Sequence, residues 1–148
     1  MNLMVKKNCL CDFLLCQQCG HDVVRFDSVV SIPSILSYRQ RNDSIHGKDK
    51  VLIQLFRNPQ GSHFEVITSK DADVLKVDKA YSEDSWFPGF TWTIAVCPRC
   101  GTHLGWVFEA VENYVQSDKK SFVGLILDKL LHQNYAESLL IIPKSYKS

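Results

Sequence analysis

The pentapeptides Cys16-Gln17-Gln18-Cys19-Gly20 and Cys97-Pro98-Arg99-Cys100-Gly101 repeat one pattern, Cys-x-x-Cys-Gly, at widely separated points of the chain. Two thiolates three residues apart can hold one metal ion from a tight turn, and four complete the tetrahedral shell that structural zinc prefers. Glycine after each pair permits the sharp turn and lets backbone amides point toward the sulfurs, offsetting part of the net charge of a zinc tetrathiolate. The competing reading, independent redox dithiols or free cysteines, does not account for the doubling of the whole pattern. A shell closed by Cys16, Cys19, Cys97 and Cys100 has no position for water, so the expected metal, one Zn2+, is structural.

With 148 residues the chain fits one domain able to bury a core without disulfides, and zinc would tie distant segments together rather than replace that core. Net charge is +1 with both signs dispersed, which gives no basic stripe for nucleic acid. Residues 1–15 hold Lys6, Lys7 and a short apolar patch interrupted by Asp12, too weak for a secretion signal, and no apolar run reaches membrane-spanning length. Cysteines better explained by zinc than by disulfides favour a reducing setting, cytoplasmic or nuclear. Cys9 and Cys11 fall outside the zinc set and read as ordinary thiols in a flexible tail over residues 1–12.

From about Val23 to Trp106 the sequence reads as short β-rich runs broken by turn chemistry. Val51 to Phe56 is an apolar strand; Asn58-Pro59-Gln60-Gly61 is a turn, after which His63 to Thr68 can return antiparallel. Thr91 to Val96 is the clearest strand, with Trp92, Ile94 and Val96 on one face, and Leu104 to Phe108 follows with Trp106 and Phe108 sharing a face. Ser37 to Lys50, rich in polar residues, reads as an exposed loop. Ser121 to Leu140 has helical spacing around Leu125, Leu127, Leu130 and Leu131, with Ser121 as a cap, which predicts a short C-terminal helical segment.

All three tryptophans, Trp86, Trp92 and Trp106, bracket the second metal pair. Such rings either fill a core or wall a binding site. A two-residue hairpin centred on Pro88-Gly89 would set Ser85 opposite Trp92 and turn Trp86 away from it. A shared cage therefore requires an irregular loop through Trp86-Phe87-Pro88-Gly89-Phe90. Aromatic walls of this kind suit a flat or saturated small ring oriented by backbone groups, or a quaternary ammonium favoured by Glu83 and Asp84.

The run Glu83-Asp84-Ser85-Trp86-Phe87-Pro88-Gly89-Phe90-Thr91-Trp92-Thr93-Ile94-Ala95-Val96-Cys97-Pro98-Arg99-Cys100, continued by His103-Leu104-Gly105-Trp106-Val107-Phe108, closely resembles the CULT domain, the thalidomide-binding domain of the cereblon family. The resemblance covers residues 13–131, which leaves 132–148 as a C-terminal extension. It implies a mainly β fold, a β-tent of two antiparallel sheets stapled by the four-cysteine zinc. Carried over by position, Trp86, Trp92 and Trp106 are cage walls, Phe108 the floor, and Asn58 and Pro59 belong to the loop that closes over the ligand. Asp84 and Ser85 fall in the segment whose backbone meets the ligand, and Phe64 lies near the pocket.

The implied ligands are cyclic imides: glutarimide drugs of the thalidomide class, uracil-like rings and protein C-termini cyclised from asparagine or glutamine. The implied role is a non-enzymatic binding module, with a possible tie to protein quality control or ubiquitination. A neutral imide would bury its methylenes on indole faces and find its partners on the backbone around Asp84 and Trp86. Asp84 and Phe64 both stand where cereblon has histidine. The fifteen residues before Cys16 are expected to be too few to encode the Lon-like domain through which cereblon docks a ubiquitin-ligase adaptor. Two alternatives stay open: an enzyme resembling the zinc-bearing methionine sulfoxide reductases, which needs a reactive thiolate at the pocket, and a purely structural interaction domain with a filled core.

Overall fold

Alternating apolar residues give this chain a sheet that is aliphatic on one face and aromatic on the other. A computed structural model describes residues 12–45, 48–111 and 120–133. Among them are strands β1 (Phe13–Cys16), β2 (Asp22–Arg25), β3 (Val29–Val30), β4 (Arg39–Ile45), β5 (Lys48–Arg57) and β6 (His63–Ser69). β7 (Leu75–Tyr81), β8 (Phe90–Val96), β9 (His103–Ala110), β10 (Ser121–Ile126) and β11 (Leu130–His132) complete the set. The small sheet runs β11-β1-β2 and the large one β4-β5-β6-β10-β9-β8-β7, with β3 also paired to β6. Neighbouring strands are antiparallel throughout, so the mainly β, two-sheet architecture expected from the sequence is the one observed.

Residues one apart in a strand face opposite ways, and the two cores follow that rule. Val51 and Ile53 on β5, Ile67 on β6, Val107 on β9, and Val123 and Leu125 on β10 join Leu14, Cys16 and Val23 in an aliphatic core. Phe56, Val66, Trp106, Phe108, Phe122 and Ile126, from the same large-sheet strands, form an aromatic core with Phe87. The strands β9 and β10 lie very close together. A Cβ on Gly105 would stand 1.9 Å from the Gly124 carbonyl oxygen, so only glycine fits at position 105.

The expected C-terminal helical segment is not present over 121–132. Ser121–Ile126 is a central strand bonded to β6 on one side and β9 on the other, followed by a 3-10 turn at Leu127–Lys129 and then β11. Val123, Gly124 and Leu125 have strand partners on both edges in extended form, which overrides the few tenths of a kcal/mol by which ordinary residues differ in helix propensity. The remainder of the helical expectation, from 134 onward, lies outside the described residues, as do Cys9 and Cys11. Residues 39–45, expected in a loop, instead form the exposed edge strand β4. Their polarity marks a solvent-facing edge rather than irregular backbone, and Arg41 bridges to Asp43 and Glu65 there. Among the described residues no helix is long and apolar enough to cross a membrane.

Candidate ligand cavity and metal centre

Each Cys-x-x-Cys-Gly segment folds into the same knuckle. Gly20 N–H donates to the Cys16 carbonyl at 2.8 Å and Gly101 N–H to the Cys97 carbonyl at 2.9 Å, while Cys16 and Cys97 donate to the carbonyls of His21 and Thr102, both at 2.8 Å. The turns close through left-handed glycines, φ 80° at Gly20 and 81° at Gly101. These glycine amides serve the turn, and the amides aimed at sulfurs are those of Arg99, 3.4 Å from Cys97 Sγ, of His21 toward Cys19 and of Thr102 toward Cys100.

The knuckles meet where β1 and β8 end. Cys16 Sγ is 3.7 Å from Cys100 Sγ, Cys19 Sγ is 3.6 Å from Cys97 Sγ, and all four sulfurs lie within 4.8 Å of one another. A tetrahedron with zinc–sulfur bonds of about 2.3 Å has edges of about 3.8 Å, so the donor set fits one structural zinc ion. Hydrogen bonds from Thr102 draw the Cys100 thiol down to about 6, whereas desolvation, ahead of the neighbouring thiols, pushes Cys19 up to about 12. Metal binding must displace those protons, so it is strongly pH-dependent.

On the aromatic face of the large sheet a cavity of about 320 Å³ is lined by Trp86, Trp92, Trp106 and Phe108. Asn58, Pro59, Phe64 and Asp84 also line it, so eight of the nine ligand-contact residues named from the sequence come together there. The ninth, Ser85, lies in the adjoining groove, where its hydroxyl accepts the Phe87 N–H at 3.3 Å and donates to the Phe87 carbonyl at 3.1 Å.

Strand pairing sets Tyr81, not Ser85, opposite Trp92, so residues 82–89 form the irregular connection that a shared cavity requires. Phe90 N–H closes a turn onto the Phe87 carbonyl at 3.0 Å. Phe87, 3 % exposed, anchors that loop against Phe108 and Phe122 with ring centroids at 4.7 and 4.9 Å. Its neighbour Trp86 thereby turns to the cavity, stacked on Phe56 at 4.6 Å and edge-on to Trp106 at 4.8 Å.

Two indole nitrogens are already engaged: Trp86 Nε1–H donates to the Arg57 carbonyl at 3.3 Å and Trp92 Nε1–H to the Glu83 carbonyl at 2.7 Å. Asp84 has a left-handed backbone, φ 58°, which Asp tolerates better than most residues. The Asn58 turn is self-braced: Ser62 N–H donates to Asn58 Oδ1 at 2.8 Å and Gly61 N–H to the Asn58 carbonyl at 2.9 Å.

Gln60, Ile94 and His103 also line the cavity and were not singled out from the sequence. The period-two rule already put Ile94 on the face of Trp92. No local signal marks His103, which read as one scattered histidine among five. Its ring stands edge-on to Trp106 at 5.0 Å, and Nε2–H donates to the Gly105 carbonyl at 3.0 Å. Burial, only partly opposed by that bond, holds its pKa below the ordinary histidine value.

Comparison with known proteins agrees with this geometry. Residues 13–138 match the family described as Yippee zinc-binding/DNA-binding /Mis18, centromere assembly. Cereblon of Danio rerio is 32% identical over 122 residues, covering 82% of this chain and 25% of that protein. Cereblon of Xenopus tropicalis is 46% identical over 69 residues, 46% of this chain and 15% of that protein. Cereblon of Gallus gallus is 41% identical over 75 residues, 50% of this chain and 16% of that protein. The chain thus spans a quarter or less of the length of these relatives. With the paired knuckles, the two antiparallel sheets and a match over most of its length, the chain belongs to the Yippee/Mis18 zinc-binding family and carries a domain of the cereblon type.

Proposed function

We propose that this domain is a non-enzymatic binding module that captures cyclic imides in the cavity among Trp86, Trp92, Trp106 and Phe108. The observation that carries the reading is the chemistry of the walls. Trp86 and Trp92 spend their indole N–H groups on backbone carbonyls, so both offer apolar faces to the cavity. A neutral five- or six-membered ring suits such walls, because its methylenes gain about 25 cal/mol per Å² buried without stranding a charge.

Orientation falls to the loop backbone. The Trp86 carbonyl accepts the Ser34 hydroxyl at 2.5 Å, which leaves the Asp84 carbonyl and the Trp86 N–H as partners for the imide N–H and carbonyl. Asn58 and Pro59 overhang the ring from their braced turn, Phe64 closes the side above Trp106, and Ser85 holds the loop in shape. Residues 13–131 act as the binding domain, and a link to ubiquitination belongs to the wider protein context of such domains.

A reductase reading needs a reactive thiolate at the cavity. Among the described residues every cysteine is in the metal cluster, which favours binding over turnover. The deciding experiment is a titration of the zinc-loaded protein with glutarimide, followed by tryptophan fluorescence and repeated with Trp106→Ala. Saturable quenching that disappears in the folded variant is expected; no response in folded wild-type protein overturns the proposal.

A further inference from the structure

Beside the cavity runs a groove of about 430 Å³ whose walls include Leu36, Pro88, Phe90 and Val111. Asp84 lines both, so the two concavities share an edge at the cavity mouth. Leu36 is 53% exposed and Val111 42%, although both are apolar.

The walls are fixed from below. Val111 N–H donates to the Gly89 carbonyl at 2.8 Å, tying one wall to the Pro88-Gly89 turn. Leu36 N–H donates to Ser34 Oγ at 3.0 Å, and that hydroxyl in turn donates to the Trp86 carbonyl at the base of the cavity loop. The fully buried Gln54 holds this segment to the large sheet, accepting Ser34 N–H at 2.8 Å and donating to the Ile32 carbonyl at 2.9 Å. The groove is therefore preformed, with Leu36 and Val111 turned outward, and covering it would release these two side chains from water.

A cavity of about 320 Å³ has room for one small ring, so any chain attached to the ring must leave at the mouth. Asp84 lines both concavities, so an extended chain leaving the ring over that edge enters the groove. We propose that this groove seats the polypeptide that carries the imide, so that the preferred ligand is a cyclised chain end preceded by apolar residues rather than a free ring. The inference rests on the imide reading of the cavity. Asp84 at the shared edge adds a selection against acidic residues next to the ring, by like-charge repulsion.

The test is fluorescence anisotropy competition on the zinc-loaded full chain with three probes: N-acetyl-aminoglutarimide, a peptide ending in Leu-Leu-aminoglutarimide, and one ending in Asp-Asp-aminoglutarimide. The Leu-Leu peptide is expected to bind about tenfold tighter than the acetylated ring, and the Asp-Asp peptide no tighter than it. Leu36→Asp and Val111→Asp, each checked for zinc content and melting temperature, should bring the Leu-Leu peptide down to the affinity of the ring while leaving the ring unchanged. Equal affinity of all three probes for the wild-type protein overturns the groove alone. Failure of every probe to bind overturns the imide reading and the groove with it. The wild-type comparison of peptides decides the matter even where a variant does not fold.

Discussion

The metal centre and the cavity are built in opposite ways. Each knuckle is a closed local unit of six residues, Cys16 to His21 and Cys97 to Thr102, made twice with the same two hydrogen bonds, and each supplies two of the four sulfurs. The cavity takes Asn58 and Pro59 from one turn, Phe64 from β6, Asp84 and Trp86 from an irregular loop, and Trp92, Trp106 and Phe108 from two strands. A site assembled from local units survives small shifts in the sheet, whereas one assembled from five segments depends on the register between them.

Removing the metal gives the largest expected effect. Cys97→Ser, or exhaustive chelation, should abolish cooperative unfolding by circular dichroism and with it the cavity, because apparent binding energies at four-ligand structural zinc sites are on the order of 10 kcal/mol. Persistence of a sharp melt without metal would show that the sheets hold the cavity unaided. Gly105→Ala runs the comparison the other way. Its new Cβ would meet the Gly124 carbonyl oxygen at 1.9 Å, and the backbone shift required should cost about 4 kcal/mol or more, read by urea denaturation. Zinc content should stay at one ion per chain, since both knuckles lie outside that contact; loss of zinc as well would mean that the two regions are mechanically one.

Acidification should separate the regions by pH. The four thiolates must be deprotonated to hold zinc, so zinc is released as pH falls, and Thr102→Val, which removes the hydroxyl bond that draws Cys100 down, should move the release midpoint to higher pH. His103 adds a smaller contribution of the same sign. Its folded pKa lies below its unfolded value of about 6.5, so the fold binds fewer protons, and stability present above pH 6.5 is lost as pH falls through the folded pKa. His103→Gln should flatten that part of the stability profile without moving zinc release; an unchanged profile would place the acid sensitivity elsewhere. The smallest effect is expected at the cavity rim. Asp84→Asn keeps a residue tolerant of φ 58° and removes the charge, so glutarimide affinity should shift less than about threefold, while a cationic ring should lose affinity. A loss of glutarimide binding tenfold or greater would assign the carboxylate a direct role.

Sequence patterning was informative where the responsible contacts are short in range. The β5–turn–β6 hairpin, the faces of β8 and β9, and the metal ligands all follow from residues a few positions apart. It misled at Ser121–Ile126, whose leucine spacing resembles a helix until β6 and β9 supply partners on both edges. It misled again at β4, where polar composition reported exposure and not backbone shape.

By itself the sequence determined that the chain would carry one zinc ion on two knuckles and that its apolar residues would alternate across strands, because thiol spacing and side-chain periodicity are properties of adjacent residues. Only the tertiary structure decided that His103 and Gln60 share the cavity with the tryptophans, that Ser85 stands outside it, and that an apolar groove opens beside Asp84. Those placements depend on strand register and on how one irregular loop is anchored by Phe87, and such long-range packing leaves no mark in any short stretch of sequence.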